Sequence, residues 1–209
     1  MQKIYSDIKN YYAQRIQEFG TTPRGVDWKD YDTQQIRFSQ ISKIIDNKTN
    51  FRINDLGCGY GAYLEFLNRQ GYSNFRFNGY DLSKEMIDNA LKQFKKKSDV
   101  TFRQIKSTDE MEEADFTVAS GVFNVKMHYK EHEWLAMVLE TIHNMANKSK
   151  LGFSFNILTK YSDQEYMDNK LYYADPLFFF DYCKRNYSKN VALLHDYDLF
   201  EFTILVKKS

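Results

Sequence analysis

Residues 51–62 read Phe51-Arg52-Ile53-Asn54-Asp55-Leu56-Gly57-Cys58-Gly59-Tyr60-Gly61-Ala62. The first half is a short strand-forming run. The second half is a turn with glycine at every other position, and an apolar pattern at helical spacing follows it. Glycines 57, 59 and 61 let the main chain turn sharply and let a ligand approach it closely. Free N–H groups at the start of the following helix favour an anionic or polar ligand group. Without a ligand, the same residues would make a structural tight turn.

Strands and helices alternate outward from this loop. Helical spacing is read over Ala62–Arg69, with Tyr63, Leu64, Phe66 and Leu67 inward. It recurs over Ser83–Phe94, with Met86, Ile87, Ala90, Leu91 and Phe94 on one face, over Glu131–Ala146, with Trp134, Val138, Ile142 and Ala146 inward, and over Pro176–Tyr187. Strands are read at Phe51–Leu56, Phe75–Tyr80, Val100–Ile105, Phe116–Ser120 and Leu151–Ile157. This rhythm implies a parallel sheet with helices on both faces. Val191–Leu194 and Phe200–Val206 are joined by His195-Asp196-Tyr197-Asp198-Leu199, too short a link for a crossover helix, so they form an antiparallel hairpin. The expected fold class is α/β, with a seven-stranded mostly parallel sheet ending in that hairpin. Before it, residues 1–50 read as two helical patterns, Ile4-Ile8-Tyr12-Ile16-Phe19 and Phe38-Ile41-Ile45. Gly20-Thr21-Thr22-Pro23-Arg24-Gly25 breaks them apart, and the second ends near Asp46-Asn47.

Composition narrows the function. The chain has 209 residues, 29 Lys+Arg against 28 Asp+Glu, 43% apolar and 17% aromatic residues. That is enough to bury a core and excludes a disordered chain. A net charge of +1 argues against a nucleic-acid-coating protein. Two cysteines, Cys58 and Cys183, are too few for a disulfide framework or a four-ligand zinc site. The start lacks a signal-peptide core, and the longest apolar run, Trp134 to Leu139, cannot cross a bilayer. We therefore expect a cytoplasmic protein with no membrane partner, one domain over 1–209, with 1–50 as a helical cap and 51–209 as the core. It would be a monomer or a homodimer.

Gly57, Gly59 and Ala62 also fit the dinucleotide fingerprint, which keeps a nicotinamide or flavin oxidoreductase open. Asp81, 24 positions after Gly57 at the tip of the second strand, is placed to accept two hydrogen bonds from a ribose diol, as dinucleotides and adenosyl ligands both require. Asp55 separates the two. A carboxylate two residues before the first glycine suits a cation, such as the ammonium of S-adenosyl-L-methionine. The terminal hairpin points the same way, because a dinucleotide fold would continue with a second parallel half.

Asn54-Asp55-Leu56-Gly57-Cys58-Gly59-Tyr60-Gly61, with Tyr80-Asp81-Leu82-Ser83, Met86-Ile87 and Ala90, resembles the class I, Rossmann-like S-adenosylmethionine-dependent methyltransferase family, as a small bacterial-type member. The sharp motifs lie between 53 and 90, and the likeness in topology runs from about 50 to 209. The resemblance implies that the loop at Asp55, Gly57, Cys58, Gly59 and Gly61 holds the amino-acid end of the cofactor. Asp81 would hold the ribose, Leu82 would pack on adenine, and Met86 would also contact the cofactor. Ser120 and Gly121 would line the methionine side, with Asn124 toward the acceptor. Many members carry an acid after the third strand; here Lys106 stands in that region, and adenine contact falls to Ser107.

Methyl transfer from a sulfonium is an in-line displacement that needs placement and exclusion of water, with a base only for a protonated acceptor. His128, after the fourth strand, is the first candidate base, with His195 in the hairpin turn behind it; His132 and His143 read as structural. The segment after the fourth strand, Ser120-Gly121-Val122-Phe123, lacks the Asn/Asp-Pro-Pro-aromatic motif of the DNA-amino and glutamine-amide methylating groups. No spacing suggests a metal site. Acceptor choice is expected from residues 11–28 and 158–176, which are rich in aromatics with polar tips, with Trp28, Tyr172 and Tyr173 singled out. Lys95-Lys96-Lys97 reads as a solvated helix end. The expected reaction is methyl transfer to a small molecule, with a non-catalytic cofactor-binding module as a further alternative.

Overall fold

The computed structural model describes residues 1–94 and 98–208; the lysine run at 95–97 lies outside them. The elements are α1 Gln2–Phe19, α2 Tyr31–Ser42, β1 Arg52–Leu56, α3 Ala62–Arg69, β2 Arg76–Asp81, α4 Lys84–Gln93, β3 Val100–Gln104, β4 Ala114–Ala119, α5 Glu131–Lys148, β5 Ser149–Leu158, α6 Pro176–Asn186, β6 Asn190–Leu194 and β7 Glu201–Lys207. A 3-10 turn at Pro23–Val26 separates α1 from α2.

The seven strands form one sheet in the order β3-β2-β1-β4-β5-β7-β6. Strands β1 to β5 pair in parallel, while β7 runs antiparallel between β5 and β6. The chain thus steps outward from β1 in both directions, and the gap between β1 and β4 is the point where strand order reverses. In open α/β sheets ligands sit outside the carboxyl ends of the strands at such a point.

Each face of the sheet buries its own cluster. One gathers Trp134, Val138 and Ile142 of α5 and Phe179 of α6 against Phe153, Phe155 and Phe202, with Ile4 and Tyr5 of α1. The other gathers Phe38 and Ile41 of α2, Tyr63, Leu64 and Leu67 of α3, and Ile87 and Ala90 of α4 against Ile53, Phe77 and Val118.

Two expectations change. Helix α2 starts at Tyr31, because the Asp30 side chain accepts the Thr33 N–H at 2.8 Å, and it stops at Ser42 rather than near Asp46. Ile44 and Ile45 are buried from the turn beyond it. Leu91, expected inward, is 50% exposed. Helix α4 packs against β2, β3 and α1, and Leu91 lies on the flank that these leave to solvent. Among the described residues, no helix is long and apolar enough to cross a membrane.

Candidate functional site

The cleft opens at the carboxyl ends of β1, β2 and β4. Gly57, Gly59 and Gly61 all take positive φ (72°, 53° and 90°), a backbone that side chains resist, so the turn needs glycine at each of these positions. The turn is pinned to β2, with the Gly57 and Cys58 N–H groups both donating to the Tyr80 carbonyl at 2.8 and 3.0 Å.

Two carboxylates face this cleft. Asp55 is 3% exposed, and its Oδ2 is buried without a hydrogen-bond partner among the described residues. Burial, with the Asp81 charge adding, holds its carboxyl well above the usual range. Asp81 accepts the Gly59 N–H on Oδ2 at 3.0 Å and the Ser83 N–H on Oδ1 at 2.8 Å, which fixes its orientation. Burial pushes its pKa up to about 6, against the pull of those backbone donors. A buried carboxylate with an orphaned oxygen, beside a second, half-buried one, is completed by a cationic, hydrogen-bond-donating ligand.

The roof comes from the N-terminal residues. Val26 lies on the glycine loop, 3.1 Å from where a Cβ on Gly59 would stand. The Trp28 indole presses on Gly121, where a Cβ would clash with it. Tyr12 and Val26 pack on Ile16, Tyr60 and Met86. Arg15 and Asp27 form an ion pair at 2.5 Å that ties α1 to the roof. Below, Asn156 of β5 holds the loop after β4, since its Oδ1 accepts the Gly121 N–H at 2.8 Å and its Nδ2 donates to Ser120 Oγ at 3.2 Å.

Of the residues singled out from sequence, Trp28, Asp55, Gly57, Cys58, Gly59, Asp81, Leu82, Met86, Ser120 and Gly121 line one cavity. Gly61 stands just outside as the N-cap of α3, against Phe94 and Phe102. Ser107 caps the 3-10 turn Thr108–Glu110, and it is its neighbour Thr108 that reaches the cavity. Four others lie elsewhere. His128 is 65% exposed and stacks on Tyr129 near Asp7. Asn124 is buried, bonded to Glu201 and to the Leu158 N–H. The Tyr172 N–H donates to the Asn124 carbonyl, and the Tyr173 hydroxyl accepts the Asp168 N–H at 3.0 Å. Tyr5, Ile8, Tyr12, Val26, Val122, Met137 and Thr141 also line the cavity. Most of them carry helical spacing that marks burial but does not say against what.

The strand order and the glycine-and-carboxylate cleft define a Rossmann-like nucleoside-binding fold. A family model described as "Methyltransferase domain" matches residues 53–149. The Mycobacterium tuberculosis (strain ATCC 25618 / H37Rv) protein named "Putative methyltransferase Rv1506c" is 47% identical over 167 residues, covering 80% of this chain and 99% of that protein. The chain belongs to the class I S-adenosylmethionine-dependent methyltransferase family. In fold it is similar to the magnesium protoporphyrin IX methyltransferase of Synechocystis PCC 6803, solved with S-adenosylhomocysteine (TM-score 0.65, 13% identity, 98% of this chain and 99% of that one). It is also similar to human N-acetylserotonin methyltransferase in complex with S-adenosylmethionine (TM-score 0.65, 13% identity, 99% of this chain and 59% of that one).

S-Adenosylmethionine fits the residues present. Its ammonium would answer the orphaned Asp55 oxygen, and its ribose diol would donate to the oriented Asp81.

Proposed function

We propose that the chain moves a methyl group from S-adenosylmethionine to a small-molecule acceptor, with residues 1–50 forming a cap on a single domain whose core is 51–209. When bound, the cofactor supplies the electrophilic methyl group. Asp55 and the glycine loop bind its amino-acid end, Asp81 orients the ribose, and Leu82, Met86 and Thr108 flank the adenine, with Ser107 behind. Ser120 and Gly121 line the path to the acceptor.

One observation carries the small-molecule reading: the chain roofs its own cleft. Val26 and Trp28 lie directly on Gly59 and Gly121, so a folded macromolecule cannot reach the cleft while they are in place. The two structural relatives name small molecules as their acceptors. The near-neutral charge supports a reading without nucleic acid. Two free buried cysteines suit the cytoplasm. We keep monomer or homodimer as the assembly. No base is assigned: His128 faces solvent, and the roof provides the exclusion of water that an in-line displacement needs.

Two measurements test this. Calorimetry with S-adenosylhomocysteine should give micromolar binding that Asp81→Ala weakens at least about a hundredfold, from loss of two charge-assisted hydrogen bonds. Unchanged affinity in the variant would overturn the Asp81 role. Labelled S-adenosylmethionine with a cell extract should put label into small molecules. Label in RNA or protein overturns the acceptor class, and tight binding with no transfer at all identifies a non-catalytic module.

A further inference from the structure

Outside the cofactor cleft, one buried cluster has hydrogen-bonding capacity that the fold does not use. Arg37, on α2, sends Nε to Glu201 Oε2 at 2.8 Å, with the two side chains 11% and 1% exposed. The other Glu201 oxygen accepts Asn124 Nδ2 at 3.2 Å, and Asn124 Oδ1 accepts the Leu158 N–H at 3.1 Å. Every acceptor in this chain of bonds is engaged. What remains open is a donor: Arg37 Nη1 is buried and has no partner among the described residues. A guanidinium N–H left unpaired in a dry site is costly and calls for an oxygen acceptor.

The position gives this donor a role. Glu201 opens β7 opposite Leu158, the last residue of β5, so the cluster stands at the carboxyl edge of the sheet on the side beyond β4. The Arg37 guanidinium lies 4.2 Å over the Trp28 ring, and that ring presses on Gly121 of the cofactor cavity. Trp28 therefore stands between the free donor and the cleft.

Resting on the methyltransferase reading, we propose that Arg37 recognises a carboxylate on the acceptor, with Glu201 and Asn124 as positioning residues and Trp28 as the movable partition. The charge favours a monoanion. Glu201 already neutralises most of the guanidinium and would repel a dianionic phosphate, whereas a carboxylate needs one strong donor and tolerates the neighbour. The walls around Trp28 in the cavity, among them Val26, Phe38 and Val122, suit an apolar body behind that carboxylate.

The test titrates protein saturated with S-adenosylhomocysteine, by calorimetry, with phenylacetate and hexanoate, each against its amide. At least one acid should bind, about tenfold or more tighter than its amide. Arg37→Met should erase that preference, and Arg37→Lys should keep part of it. Because Arg37→Met leaves Glu201 buried and unpaired, Arg37→Met/Glu201→Gln removes both charges together and should also show no preference. The inference is overturned if S-adenosylhomocysteine binds normally yet acids and amides bind alike or not at all, or if the double variant keeps the wild-type preference. Failure of S-adenosylhomocysteine to bind would instead strike the reading beneath it. The same titration on the ligand-free protein would then decide the carboxylate site alone.

Discussion

At the tip of β2, Asp81 is at once anchored and under strain from burial, and the two effects separate with pH. Its pKa of about 6 lies above the ordinary carboxylate value of 3.8, so the folded state holds the proton longer than the unfolded chain. Between those two values the folded state binds more protons, so this group's contribution to stability falls as pH rises and is constant above about 6. A shift of this size is worth roughly 3 kcal/mol at about 1.4 kcal/mol per unit. Chemical denaturation should show wild type losing up to that amount relative to Asp81→Asn between pH 4 and 7. Cofactor affinity should run the other way. The ionised carboxylate is the better acceptor for ribose hydroxyls, so S-adenosylhomocysteine should bind more tightly as pH rises through 6, and Asp81→Asn should remove that rise, leaving only what Asp55 contributes. Parallel profiles in wild type and variant would refute the role. Asp55, the glycines and Asp81 were legible because their meaning is local: strand, turn and strand tip follow one another in the chain. Arg37 and Glu201 were not. They stand 164 positions apart, and each alone reads as a surface charge.

Elements were legible to within a residue or two wherever apolar period and turn chemistry agreed. The strands expected at 51–56, 75–80 and 200–206 appear as Arg52–Leu56, Arg76–Asp81 and Glu201–Lys207. The stretch after β5 was not. It has no apolar period, and its tyrosines do not build a pocket: Tyr161 and Tyr166 are 58% and 68% exposed, while Tyr172 is buried against the loop after β4. Strand β5 shapes the site instead, through Asn156. That side chain is fully buried and spans the Ser120 hydroxyl and the Gly121 N–H. Asn156→Ala removes both bonds and leaves their partners unsatisfied beneath the cofactor cleft. We expect a loss of about 1–3 kcal/mol in unfolding free energy and weaker S-adenosylhomocysteine binding, because the loop carrying Gly121 loses its tether. A variant with lower stability but wild-type affinity would show that the loop is held by other contacts.

At the scale of the molecule, the first thirty residues are held in two ways, by the core at one end and by the cleft at the other. Ile4 and Tyr5 join the core that holds Trp134, so the start of α1 opens only with the fold itself. Past Gly20, whose φ is 65°, the chain lies on the cleft through Val26 and Trp28, tied back by the Arg15–Asp27 pair. If a ligand reaches Asp55 under this segment, residues 20–30 open locally while residues 4–16 stay docked. Local opening sets amide exchange, and a ligand held beneath the roof adds contacts that exist only when it is closed. Hydrogen exchange of the ligand-free protein should therefore show fast amides over 20–30 and slow ones over 4–16. S-Adenosylhomocysteine at a hundred times its Kd should slow the first group by up to about a hundredfold, the limit set by ligand linkage, and leave the second nearly unchanged. Equal slowing across both segments would mean that the whole cap opens as one piece. No slowing over 20–30 would mean that the ligand enters and leaves without moving the roof, by a path that avoids Val26 and Trp28.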